Sequence, residues 1–338
     1  MATNKAIQLA NYHAGSPTLE VVELDIPNPG AGEVLVKITL RPVNPADGFV
    51  AMGVYPGFTP AKDNANPVAG LEGTGTVESV GEGVTKFSIG QRVVGAPFPS
   101  VQSGNGTWQQ YLVASEDSLV AVPDSVPDES AAQFFVNPVT VVGMLNVLDI
   151  PAGEYLIQTA AGSVLGRQMI QVSKHKGIKT INVVRRAEQA AELKALGADE
   201  VIVSTEEDIP ARVNEITGGK GAYGAIECVG GELFGPISDS VRAGGTAIIY
   251  GAMSGLTATF SIPAVLFKGV NVKGFWLIPY IDSLGKEERA KFMQEVMQLL
   301  ADKVIVPYAG QKFPLEEAAA AMAEAQKPAR GGKVLLEG

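Results

Sequence analysis

At 338 residues the chain exceeds one ordinary hydrophobic core, so two domains are the default expectation. Apolar residues at 46% and charged residues at 18% describe a well-packed globular protein rather than a disordered one. A net charge of −10, from 26 basic against 36 acidic residues, argues against a nucleic-acid or anionic-membrane surface, which needs clustered Lys and Arg.

No uninterrupted apolar run reaches the roughly 18 residues that a membrane span requires, so no membrane partner is expected. The start, MATNKAIQLANYH, carries neither a secretory apolar core nor an Arg-rich amphipathic presequence. A cytoplasmic protein is expected, or an organellar one if a presequence has been removed. Cys228 is the sole cysteine, which rules out an intramolecular disulfide and a thiolate-based zinc site. His13 and His175 are the only histidines. His13 falls in a turn-like stretch and His175 at an expected helix end, and both read as structural. No metal is expected.

Residues 1–125 are β-like, with the runs VLVKITL, GTVESVG, QRVVGA and QQYLVA separated by Gly, Pro and Asn turns. From about residue 130 to 275 strands alternate with helices. The strand candidates are YLIQT, TINVV, EVIV, AYGAIECV, TAIIYG and VNVKGF. Leu165, Met169 and Val172 follow the first of them at i, i+4, i+7, one helical face, and Gly177 is a plausible stop. AEQAAELKALGA reads as a second helix ending at Gly197. Such alternation predicts a parallel sheet flanked by helices, the doubly wound α/β architecture. A long amphipathic helix over residues 286–301, an alanine-rich helix and a final strand KVLLEG close the chain. This last segment is expected to pack back on the β-rich first domain and to leave a ligand cleft between domains.

The stretch YLIQTAAGSVLGRQMIQV has the form of a strand, a small-residue turn and a helix, as in a dinucleotide-binding turn. The glycine fingerprint is reduced to A-x-x-S-x-x-G at Ala160, Ser163 and Gly166, with Gly162 as an additional flexible point. N–H groups at the helix start, at Val164 and Leu165, can still meet a phosphate. By itself such a loop is as often structural as functional. The next strand, TINVV, ends at Val184, where an NAD enzyme carries an acid for the ribose hydroxyl. Arg185 and Arg186 follow instead. Arginine at this place suits the 2′-phosphate of NADPH, a solvated basic turn being the alternative.

NPADGFVAMGVYP, GTWQQY, FFVNPVT, INVVRR, ECVGG, GGTAIIYGAM and LFKGVNVKGFWL together resemble segments of the zinc-free medium-chain dehydrogenase/reductase superfamily. The likeness is greatest to its 2-enoyl thioester reductases and next to its quinone oxidoreductases. The resemblance implies an α/β fold made of a GroES-like β-rich substrate domain and a Rossmann-type doubly wound parallel sheet. The substrate domain is expected over 1–128, completed by 279–338, and the cofactor domain over 129–278. A homodimer paired through the cofactor domain is the implied assembly. Asn44 stands where the zinc-dependent relatives carry a Cys, and Gly70–Leu71–Glu72 where they carry Gly-His-Glu.

Oxidising an alcohol needs its proton removed, which zinc assists by acidifying a bound oxygen. An activated C=C needs less: hydride to the β carbon, and a donor at the carbonyl oxygen or a proton for the α carbon. Tyr55 in AMGVYPGF matches the tyrosine that enoyl reductases use in that role. A tyrosine is neutral near pH 7, so it donates rather than abstracts; an aromatic lid residue is the other reading. Asn137 and Thr140 in VNPVT match the Asn-Pro-x-Thr beside nicotinamide and substrate, with Asn44 also assigned to the cofactor side. Cys228 reads as a buried strand-end residue near the cofactor, not a nucleophile, since no His accompanies it. Tyr250, Gly251 and Met253 match a loop lining the nicotinamide pocket, as do Phe275 and Trp276. Trp276 walls the acyl channel or packs in a core, Trp108 reads as structural, and Lys333 is a candidate to reach the cofactor. The expected function is NADPH-dependent reduction of a small-molecule enoyl thioester. A quinone or 2-alkenal reductase is the alternative, and a non-catalytic NADPH-binding protein the more distant one.

Overall fold

The computed structural model describes residues 2–327 and 331–338, which form two compact units. One comprises residues 1–136 and 286–338, the other residues 137–285. The expected boundaries were 128/129 and 278/279, against 136/137 and 285/286 in the structure.

The first unit is built on a seven-stranded sheet. Its order is Ala309–Pro314, Lys333–Glu337, Glu33–Pro42, Thr74–Val80, Arg92–Gly95 and Leu119–Ala121, with Tyr111–Ser115 also paired to Glu33–Pro42. Alternating apolar residues in Glu33–Pro42 put Val34, Val36 and Ile38 into one core with Val77, Val93, Phe98 and Leu112. A second core gathers Ile7, Leu9, Phe58, Trp108, Val334 and Leu336, so Trp108 is a wholly buried structural residue. The final strand pairs antiparallel with Glu33–Pro42, which places the chain's last segment in this unit as the sequence suggested. The hairpin Asn4–Ala10 with Thr18–Leu24 was not anticipated.

The second unit holds a six-stranded, all-parallel sheet in the order Glu200–Val203, Lys179–Val184, Tyr155–Gln158, Ala222–Glu227, Val241–Ile249, Asn271–Gly274. This is the dinucleotide-fold order, in which chain direction along the sheet reverses between Tyr155–Gln158 and Ala222–Glu227. The sheet's core is Ile157, Ile181, Val183, Ile202, Ala225, Phe234, Ile237 and Ala247, β-branched and apolar on both faces as covered parallel strands require. The helix Val164–His175 begins at Ser163, whose side chain accepts from Gly166 N–H, and is followed by Gly177 at φ 70°. The helix Glu188–Leu196 ends on Gly197 at φ 113°, the left-handed cap expected there. The apolar helix Asn137–Leu148 approaches Phe275 and Tyr280 closely at Gly143. A Cβ on that residue would lie 2.9 Å from both rings.

Candidate active site

The second unit gathers most of the candidate residues at the carboxyl ends of its strands. In open parallel sheets that edge, where strand order reverses, is the place for ligands. The loop after Tyr155–Gln158 turns through Ala160 at φ 48°, a left-handed conformation that favours glycine and that alanine adopts only under constraint. The turn of the glycine fingerprint is therefore made without its first glycine. Gly166 is the glycine the packing demands: a Cβ there would come 2.6 Å from the Ala161 carbonyl oxygen. Ser163 caps Val164–His175 through a 3.0 Å bond from Gly166 N–H. Helix geometry leaves the N–H groups of Val164 and Leu165, in the first turn of this helix, without intrahelical partners.

Arg185 and Arg186 are exposed directly after Lys179–Val184. Among the described residues neither takes part in an ion pair. Arg167, by contrast, is tied to Glu192 and to the Gly162 carbonyl. The two arginines thus remain available to an anionic ligand.

Cys228 follows the strand Ala222–Glu227 and is buried. Burial pushes its thiol up to about 11, with the Tyr250 hydroxyl pulling the other way, so it is a protonated, inert group at neutral pH. Burial and the neighbouring Cys228 hold the Tyr250 phenol well above its usual value. The loop after Val241–Ile249 is laid along this strand end by backbone bonds, Tyr250 N to Glu227 O at 2.9 Å and Met253 N to Cys228 O at 2.9 Å. Gly251 is required there because a Cβ would meet that of Cys228 at 2.8 Å. Phe275 N donates to Ile249 O at 2.8 Å. Phe275 is buried and packs on Tyr280 with ring centroids 5.1 Å apart, whereas Trp276 is 42% exposed and Met253 68%. Asn137 and Thr140 are buried on the helix that packs against Phe275.

In the first unit, Tyr55 lies in the turn after the helix Pro45–Ala51. It is half-buried against the cluster containing Tyr12, Phe58 and Trp108. Asn44, at the start of that helix, belongs to a buried polar network. Its amide donates to Glu72 Oε1 at 2.9 Å, its Oδ1 accepts from the buried Lys333 ammonium at 2.6 Å, and its N–H donates to Asp47 Oδ2 at 2.7 Å. Glu72 Oε2 accepts from the N–H groups of Phe135 and Val136 at 2.9 and 2.8 Å. Both polar atoms of the Asn44 side chain are thereby engaged within the protein. Among the described residues, no group of three or more His, Cys, Asp or Glu could hold a metal ion. No helix among them is long and apolar enough to cross a membrane.

Two family models match the chain: an alcohol dehydrogenase GroES-like domain over residues 30–124 and a zinc-binding dehydrogenase over residues 164–302. The chain is 34% identical to the mitochondrial enoyl-[acyl-carrier-protein] reductase of Arabidopsis thaliana, covering 93% of this chain and 82% of that one. With the Xenopus tropicalis protein of the same name the identity is 32%, over 96% and 93%. The chain belongs to the medium-chain dehydrogenase/reductase superfamily. Solved structures of the superfamily agree. The Escherichia coli quinone oxidoreductase complexed with NADPH superposes with a TM-score of 0.84 at 27% identity, over 99% of this chain and 100% of that one. A Pseudomonas syringae quinone oxidoreductase gives 0.85 at 29%, over 99% and 100%. The GroES-like and Rossmann-type units expected from the sequence are those of this superfamily member.

Sequence reasoning missed two groups in this dehydrogenase/reductase chain. Glu227 was read only as part of a strand-end motif, and the pairing of Lys333 with Asn44 joins residues 289 positions apart. The presence of a charged residue at the end of an otherwise apolar strand was the available signal for Glu227. No local signal pointed to the pairing.

Burial pushes the Asp47 carboxyl from its ordinary 3.8 up to about 7, Glu72 adding to the rise and the Asn44 bonds and Lys333 opposing it. Its Oδ1 has no partner among the described residues. The folded chain therefore retains a proton that the unfolded chain releases above about pH 4, and stability falls as pH rises from there to about 7. Asp47→Asn keeps an acceptor for the Asn44 N–H and removes the proton. In urea unfolding across that window the variant is expected to lack a decline of up to about 1.4 kcal/mol per pH unit. Parallel declines in both proteins would assign the slope to other groups.

Proposed function

We propose that this chain is a zinc-independent, NADPH-dependent trans-2-enoyl thioester reductase. The observation that carries the reading is the Asn44 network. Where zinc-dependent relatives hold a metal ligand, this chain has an amide whose oxygen already accepts from the Lys333 ammonium. A resident cation there opposes a second one, and alcohol oxidation loses the group that would acidify the alcohol. Reduction of a conjugated C=C does not need that group. The printed names of the relatives, enoyl-[acyl-carrier-protein] reductases, support the same substrate class.

The cofactor fits the residues present. Ala160, Gly162 and Ser163 with the first N–H groups of Val164–His175 take the pyrophosphate, and the unpaired Arg185 and Arg186 take a 2′-phosphate. Cys228, Tyr250–Met253, Phe275 and Trp276 line the nicotinamide end, with Thr140 beside them. Asn44 and Lys333 support the cofactor side from within the first unit. When bound, NADPH supplies the hydride. Tyr55 donates to the thioester oxygen as negative charge develops there, or passes a proton to the α carbon. Asn137 orients the carbonyl, and Trp276 walls the acyl chain. A quinone or 2-alkenal substrate is the second reading, favoured by the quinone oxidoreductases among the similar structures.

The sheet edge supports a homodimer. Asn271–Gly274 ends the sheet with all four residues exposed. Beside it Phe267 is 80% exposed, and Leu266 and Ile262 are exposed as well. An open strand flanked by apolar side chains is a pairing surface for a second copy.

Purified protein is expected to reduce crotonyl-CoA with NADPH faster than it reduces ortho-quinones or small enals. Tyr55→Phe should lower that rate by roughly 10²–10³-fold and leave the nucleotide Kd unchanged. An undiminished rate would remove Tyr55 from the reaction, and quinone turnover without enoyl turnover would establish the second reading. Arg185→Ala with Arg186→Ala should raise the NADPH Kd by about 10- to 100-fold, the worth of charge-assisted bonds, while sparing NADH. Equal Kd values for the two nucleotides in the unaltered protein would overturn the arginine assignment. Light scattering should give twice the chain mass, and Val272→Lys should yield monomer; a monomeric parent protein would refute the dimer.

A further inference from the structure

Glu227 is the last residue of the strand Ala222–Glu227, beside the point where strand order reverses, and is wholly buried. Its carboxylate only accepts. Oε1 takes bonds from Val229 N at 2.7 Å and Thr159 Oγ1 at 3.1 Å, and Oε2 from Gly230 N at 2.9 Å. Three donors and no acceptor neighbour are the surroundings of an ionised carboxylate. No cation pairs with it among the described residues. Thr159 also accepts from Cys228 N at 3.3 Å, so the group bridges the strands on either side of the reversal. Its negative charge is felt by the groups lining the crevice, raising both the Cys228 thiol and the Tyr250 phenol.

A buried, unpaired carboxylate is costly, and three dipolar bonds offset that cost without cancelling the charge. A structural tie between the strands needs only hydrogen bonds, which a neutral side chain also makes. The retained charge calls for a partner that is positive during the working cycle. The reading of the crevice as a nicotinamide site, on which this inference rests, supplies one. Hydride transfer breaks a C–H bond on the reduced nicotinamide and forms one at the substrate β carbon, carrying the electron pair with it. The nicotinamide is oxidised and becomes one charge unit more positive. The substrate is reduced and takes its proton at the α carbon from solvent by way of Tyr55.

We propose that Glu227 sets the redox preference of the cofactor site, its fixed charge favouring the oxidised, cationic nicotinamide over the reduced, neutral one and so assisting hydride release. The action is through the field, without contact to the reacting atoms. The pyrophosphate repels the same carboxylate equally in both redox states, so the ratio of the two affinities isolates the effect.

The test is calorimetric titration of NADP⁺ and NADPH into the parent protein and into Glu227→Gln, Glu227→Ser and Thr159→Val. Removing the charge is expected to raise the ratio of the NADP⁺ Kd to the NADPH Kd about tenfold, the scale of a unit charge acting across several ångströms of protein. Glu227→Ser is a second neutral variant, leaving room for water at the freed donors should Glu227→Gln fail to fold. Thr159→Val removes the bond that Thr159 donates to Glu227 and the one it accepts from Cys228 N, and keeps the charge, so its ratio should match the parent. A ratio unmoved in the neutral variants, or moved equally by Thr159→Val, would reduce Glu227 to a structural tie. Failure of the parent protein to bind either nucleotide would instead overturn the cofactor reading, and this inference with it.

Discussion

A parallel sheet cannot reverse its strand order without opening its carboxyl edge, because the connections leave that point in opposite directions. In this chain the reversal falls between Tyr155–Gln158 and Ala222–Glu227, and the second unit is organised around it. The helix Val164–His175 brings its N-terminus to the opening, and the loops after Val184, Glu227, Ile249 and Gly274 end along the same edge. Apolar strands bury both faces of the sheet, which leaves that edge as the place where polar groups gather. Thr159 and Glu227 join its two sides.

The buried charges of the two units follow opposite designs. In the first, Glu72 and Asp47 are held near Lys333, and the shared Asn44 distributes hydrogen bonds among them. In this set the Lys333 ammonium already faces the Asn44 oxygen, and only Asp47 Oδ1 is left without a partner among the described residues. In the second, Glu227 has dipoles but no counter-charge among the described residues, and Arg185 and Arg186 stand free of acidic partners. Charge left unbalanced inside a fold marks where a ligand completes it. The same contrast underlies the proposed chemistry: the first unit offers a neutral donor in Tyr55, and the second offers sites of both signs for a dinucleotide.

Legibility in the sequence tracked how local the signal was. Hydrophobic periodicity placed the helix over residues 286–301, as observed, and the six strand candidates all occur in the sheet of the second unit. Gly177 and Gly197 both adopt the left-handed conformation expected at helix ends. The strand Ala309–Pro314 escaped notice because its pattern is largely exposed and prolines bracket it, Pro307 shortly before its start and Pro314 at its end. The degenerate loop at Ala160 could not be judged from composition, since what matters there is a positive φ that alanine rarely takes. Arg185 and Arg186 could be singled out in the sequence because the role proposed for them depends only on spacing from one strand end. Asn44, Glu72 and Lys333 were not recognisable as a set, because only the folded sheet brings the final strand against Glu33–Pro42.

The central claim is that the chain delivers hydride from NADPH to the β carbon of an enoyl thioester. It is tested most directly by isotope transfer, using crotonyl-CoA and NADPH carrying deuterium at the transferable position, with the product read by mass spectrometry and NMR. The expected product is butyryl-CoA with one deuterium at the β carbon. A saturated product without the label, a label at the α or carbonyl carbon, or unreacted crotonyl-CoA would contradict it.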